Sequence, residues 1–110
     1  MWTDRLQKAD VSFSASGDNT VIAGVPGKRI AIDFILFRTE GATTIQMKDG
    51  AASNYGGAFQ CDRHDGMTLE NTIRNHDGIV TLSTGNDFII NSTVGVQISG
   101  FVRYRFLDNS

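Results

Sequence analysis

The residues best suited to chemistry in this 110-residue chain are two copies of one tripeptide, His64-Asp65-Gly66 and His76-Asp77-Gly78, which start twelve positions apart. Two imidazoles and two carboxylates would suit zinc or iron if the two segments met in space. Asp-Gly is also a turn signal, and each copy precedes an apolar or Thr-rich run, Met67-Thr68-Leu69 and Ile79-Val80-Thr81-Leu82. Read that way, each copy is a hairpin turn. Turns separated by one strand lie at opposite ends of a sheet, roughly 20 Å apart by strand rise, so two surface turns are favoured over a metal centre. Neither a metal nor another cofactor is expected.

Other chemistry is sparse. Gly27-Lys28 is followed by Arg29 rather than Ser or Thr, and the earlier glycine of a phosphate loop is missing. There is no Gly-x-Ser-x-Gly nucleophile elbow. Asp62 and Asp65 sit beside a turn, where carboxylates serve local hydrogen bonding. Asn91-Ser92-Thr93 fits the glycosylation sequon, but no secretory signal precedes it, so it is expected to stay bare. Cys61 is the only cysteine. It excludes an intrachain disulfide, fits a reducing compartment and reads as a small buried hydrophobe. Asp33 interrupts an apolar run, either as an acid of raised pKa or as the partner of an arginine such as Arg103 or Arg105. With no convergent catalytic cluster, the chain reads as a protein that binds or builds rather than an enzyme.

The elements that would position these residues are short strands. Twelve glycines, one proline and many Thr, Val and Ile residues point to an all-β chain with tight turns. Val25-Pro26-Gly27-Lys28 reads as a type II turn, because proline pre-sets φ at its second position and glycine supplies positive φ at its third. It launches Ile30–Phe37, with Ile30, Ile32, Phe34 and Leu36 on one face and Ala31, Ile35 and Phe37 on the other. A strand apolar on both faces belongs inside the fold, away from any working surface. Val11–Ala15 and Thr20–Val25 read as a hairpin around Ser16–Asn19. Thr43, Ile45 and Met47 form the dry face of the next strand, and 51–57 form a loop with Tyr55 near its tip. In the last strand Val96, Ile98, Val102, Tyr104 and Phe106 share one face, while Gln97, Ser99, Arg103 and Arg105 share the other with Phe101 among them. Gly100, mid-strand, marks a bulge or a close backbone approach. Eight or nine strands with no linker close as an antiparallel two-layer β-sandwich of jelly-roll type. Residues 1–10 read as an arm and 11–110 as one domain.

Ten basic against twelve acidic residues give a formal charge of −2, which disfavours nucleic-acid binding. The most apolar run is about eight residues, short of the roughly 20 that a membrane helix needs, so a membrane partner is not expected either.

Asn19-Thr20-Val21-Ile22, Val25-x-Gly27-Lys28-Arg29-Ile30, Gly41-Ala42-Thr43-Thr44 and the closing Gly100-x-Val102-x-Tyr104 resemble small β-sandwich virion proteins of tailed bacteriophages. The likeness spans roughly residues 11–106. It implies a capsid decoration, or cement, protein that lies on the outer head surface and is made in the host cytoplasm. Its partners would be the major capsid protein and further copies of itself, with a dimer preferred to a trimer. The Phe59–Asp77 region departs from the shared pattern. The resemblance transfers no contact residues, so exposure arguments select Trp2, Arg5, Leu6, Tyr55, Phe59, His64 and His76 as the partner interface. Trp2 and Leu6, four apart, would share one face of a helical turn. The alternative is a carbohydrate-binding or receptor-binding sandwich with Tyr55, Trp2 or Phe59 as stacking platforms. A third reading is a metal-dependent cupin-like enzyme built on the two His-Asp turns.

Overall fold

The computed structural model describes residues 6–71 and 78–108, and every regular element among them is a β-strand. In chain order these are β1 (Gln7–Phe13), β2 (Gly17–Ile22), β3 (Lys28–Thr39), β4 (Thr43–Asp49), β5 (Phe59–Cys61), β6 (Gly66–Glu70), β7 (Val80–Thr81), β8 (Phe88–Ser92) and β9 (Ile98–Asp108). None of the described residues lies in a helix long and apolar enough to cross a membrane.

All pairings are antiparallel and fall into two sheets. One, sheet A, has the order β1-β9-β3-β6, with β7 also pairing β3 beside β6; the other, sheet B, has the order β2-β8-β4-β5. The pairs β1·β9, β2·β8, β3·β6 and β4·β5 describe one long ribbon folded back on itself near residue 50. That ribbon is then rolled, so that β9 meets β3 and β8 meets β4. This is the jelly-roll solution to sandwich closure, and it confirms the expected fold class.

The Pro26-Gly27 corner forms as read: Lys28 N donates to Val25 O at 3.0 Å, and Gly27 has φ 80°. The strand that follows differs from strict alternation. Between Ile32, paired with Tyr104, and Phe34, paired with Arg103, the register slips at Asp33. A bulge inserts one residue and so reverses which face the following side chains occupy. Ile30 and Ile32 point inward before it, and Ile35, Phe37 and Thr39 point inward after it; all five are buried. Phe34 and Leu36 are thereby turned outward, and Leu36 is 37% exposed. Alternation read from the sequence had joined Phe34 and Leu36 to Ile30 and Ile32. Each large apolar side chain kept in the core contributes about 1.5–3 kcal/mol, which favours the bulged arrangement over a regular strand that would leave Ile35 and Phe37 outside.

The core between the sheets is built from Ile30, Ile32, Ile35 and Phe37 of β3, Ile45 of β4, Phe88 and Ile90 of β8, and Ile98 and Val102 of β9. Gly100 pairs with Phe37, and a Cβ there would lie 1.9 Å from Leu36 O, so the close-approach reading holds.

Three local expectations are corrected. First, β1 and β2 do not form a hairpin but lie in different sheets, because the 14–16 connection and Gly17, with φ 91°, carry the chain from one layer to the other. Second, β1 begins at Gln7, so Gln7–Asp10 belong to the sandwich and pair with Tyr104–Phe101 rather than to an arm. Third, the turn at His64-Asp65-Gly66 crosses between sheets, from β5 in B to β6 in A. Asp65 N donates to Asp62 O at 2.9 Å, and His64 takes the left-handed value φ 70°. Thr39 holds this crossing: its Oγ1 donates to Asp62 O (3.0 Å) and Asp65 O (3.2 Å), and His64 N donates to Thr39 O at 2.7 Å. The second copy's His76 and Asp77 lie outside the described residues.

Candidate binding surface

The bulge at Asp33 borders a cleft on the outer face of sheet A. It lets Asn71, just past β6, reach across: Asn71 N donates to Asp33 O at 2.9 Å, and Asn71 Nδ2 donates to Asp33 Oδ1 at 3.1 Å. From the other side Arg105 Nη2 donates to Asp33 Oδ2. The two side chains of this ion pair are only 17% and 19% exposed, so it is screened less than a surface pair. The expectation that Asp33 pairs with an arginine is met by Arg105.

Below this wall the outward-facing residues of sheet A form an aromatic floor. Phe34 and Phe101 stack with centroids 5.4 Å apart and ring planes inclined by 29°. Arg103 and Glu70 occupy the positions paired with Phe34 on either side, on β9 and β6. Together with Asp33 and Asn71 these residues line a cleft of about 380 Å³. Among the described residues the side chains of Arg103 and Glu70 have no hydrogen-bond or ion-pair partner. Such a cleft, with an apolar floor between a free cation and a free carboxylate, suits recognition of an amphipathic, dipolar partner. Asp33 already accepts bonds from two side chains, and no nucleophile stands beside a base here. The surface lies on the outer face of β3, the strand that sequence reasoning had set aside as too apolar to work. Phe101, an aromatic among the wet-face residues Ser99, Arg103 and Arg105, was the signal that could have found it.

The sequence-selected interface residues are dispersed. Leu6, just before β1, is 42% exposed. Trp2, Arg5 and His76 lie outside the described residues. Tyr55 is half-buried against the core, with its N donating to Met47 O at 2.8 Å, so the loop folds back on β4 rather than presenting a platform. Phe59 is likewise half-buried and stacks on Phe37, centroids 6.4 Å apart, because β5 faces the interior at that position. His64 is exposed, its Nε2 3.9 Å from Glu40 Oε2. No group of three or more His, Cys, Asp or Glu side chains suited to a metal occurs among the described residues.

Cys61 is buried, and that burial, followed by the nearby Asp65 and Asp62 charges, pushes its thiol above the ordinary range. On the outer face of sheet B, Asn91 Nδ2 donates to Asp18 Oδ1 at 2.7 Å and Lys48 Nζ donates to Asp18 Oδ2 at 3.0 Å. The Asn91 bond, then the Lys48 bond, lower the Asp18 carboxyl below its usual value. The sequon asparagine thus sits within β8, its amide committed to Asp18.

Compared with known proteins, the chain matches no family model, no curated protein and no solved structure.

Proposed function

We propose that this chain is a decoration protein of a tailed-bacteriophage head, which binds the outer shell and holds neighbouring copies of the major capsid protein together. The observation that carries the reading is the way the rolled ribbon ends. Among the described residues β1 and β2 are the terminal strands of their sheets and touch each other, so one side of the sandwich offers two adjacent edges with no further strand on them. A seven-residue edge strand carries a row of backbone donors and acceptors ready to pair with another chain. Lys8 and Asp10 on β1 guard that edge against indiscriminate pairing. Trp2, Arg5 and Leu6 immediately precede it in sequence and belong to the same contact. The resemblance of its short motifs to small phage β-sandwich proteins, together with the jelly-roll topology, supports the virion setting over other binding roles.

A protein that binds the assembled shell and not the dissociated subunits stabilises the shell by mass action. Titrating the purified protein onto undecorated capsids is therefore expected to give saturable binding at fixed stoichiometry and a gain in capsid heat resistance. Absence of saturable binding overturns the reading.

A second reading is supported by the Phe34/Phe101 cleft, since stacked rings beside Arg103 and Glu70 resemble a sugar-binding platform. Glycan-array binding that is lost in Phe101→Ala would favour it.

A further inference from the structure

The outer face of sheet A carries an order of charges that complements itself. One row, read across the cross-strand register, is Lys8, Arg103, Phe34, Glu70; the next is Asp10, Phe101, Leu36, Thr68. In the first row the cations thus lie toward β1, an aromatic ring in the middle and a carboxylate on β6; in the second the carboxylate Asp10 is on β1, beside Lys8. Lys8 has an exposed, 3.4 Å contact with Asp10, a pair worth little on its own.

We propose that this face packs against the same face of a second copy of the chain, about a two-fold axis parallel to the strands and lying between β9 and β3. Such a rotation reverses strand order and keeps the rows. Lys8 then meets the second copy's Glu70, Arg103 covers its Phe34 ring and reaches into the cleft beside Glu70, and Phe101 packs on Leu36. Every contact occurs twice, as an isologous interface requires. Arginine over an aromatic ring, with a carboxylate at its edge, is a favoured use of the planar guanidinium. The other two-fold, at right angles to the strands, also opposes Lys8 with Asp10 and Phe34 with Leu36. It leaves Glu70 facing Thr68 with no cation on either chain, whereas the first arrangement leaves Asp10 facing Thr68, where it keeps its own chain's Lys8 at 3.4 Å; a carboxylate buried without a partner is destabilising. The first arrangement is therefore the one the charges select.

Four strands spaced about 4.8 Å apart, over three outward rows, give a patch of roughly 19 by 17 Å on each copy. Two such patches, about 320 Å² each in projection, give roughly 650 Å² in all before side-chain relief is counted, the small end of specific contacts, so a weak, concentration-dependent dimer is expected. The inference gives the self-association in the proposed function a surface, and its test uses free protein, so it succeeds or fails apart from shell binding.

Analytical ultracentrifugation over a micromolar-to-millimolar series measures the dimer directly. Glu70→Lys and Lys8→Glu, both at exposed positions, should each weaken self-association about thirtyfold, since each puts like charges together twice. An equimolar mixture of the two variants should form a heterodimer as tight as the wild-type dimer, because every opposed pair is again opposite in sign. That rescue also shows that both variants are folded. A wild-type chain that stays monomeric at the highest concentration, single variants that associate normally, or a mixture that fails to recover would each overturn the proposal.

Discussion

Deleting Asp33 tests the bulge that organises both the core and the cleft. Ile32 precedes it facing inward and Phe34 follows it facing outward, so removing Asp33 joins two residues that already alternate. The deletion should restore a regular strand and keep Ile35, Phe37 and Thr39 in the core. What it removes is the ion pair to Arg105 and the two hydrogen bonds from Asn71. A buried pair broken on one side costs about 3–5 kcal/mol; at 17% and 19% exposure a figure near 2 kcal/mol is appropriate. Two lost hydrogen bonds add about 1 kcal/mol each, for a total near 4 kcal/mol. A domain of this size has roughly 5–15 kcal/mol in hand, so the variant should still fold, with a lower urea midpoint and an unchanged slope. Urea denaturation followed by circular dichroism reads both. If the strand instead ran regularly through Asp33, its removal would reverse every side chain from Phe34 to Thr39 and the protein would not fold. An unfolded deletion variant, alongside a folded Asp33→Ala, refutes the bulge. The same logic requires Ile35→Ala to cost about 2–5 kcal/mol and Leu36→Ala less than about 1 kcal/mol.

Further outcomes follow from single contacts. Gly100→Ala places a Cβ 1.9 Å from Leu36 O, so β9 and β3 must part, and thermal denaturation should show a loss of about 3 kcal/mol or more. Asp18 has a carboxyl lowered by Asn91 and Lys48, so its stabilising effect is fully present above the unfolded carboxylate value and is lost as pH falls through the lower folded one. Comparing wild type with Asp18→Asn across pH 2–7 should therefore show a gap at neutral pH that closes in acid; a gap that widens in acid contradicts the assignment. Cys61 is buried with a raised thiol, so a thiol reagent should modify it only on unfolding, and rapid labelling of native protein would contradict its place in the core.

The features legible in the sequence were those governed by local chemistry. Pro26-Gly27 permits few turns, Thr43 to Lys48 alternate cleanly, and Gly100 inside an apolar strand has few reasons to exist. Even the Asp33 partner could be narrowed to two arginines, because a carboxylate in an apolar run needs a cation. Partner choice between strands was less legible. β1 pairs with β9 at the other end of the chain, while the neighbouring β2 lies in the opposite sheet, and periodicity reports a face but not a partner. The bulge was hidden for a related reason. One inserted residue reverses a face without altering composition, and its single trace was that Asp33 alone broke the run. The interface residues were chosen for loop position and aromatic character, which cannot distinguish Tyr55 and Phe59, folded back on the core, from Phe34 and Phe101, turned outward by the bulge.

The most direct test of the proposed role is an electron-microscopy map of undecorated phage heads incubated with this protein. Jelly-roll density is expected on the outer shell at joints between capsid subunits, with the β1–β2 edge toward the shell. A map with no added density on the head, or with the protein only at the tail, would contradict it.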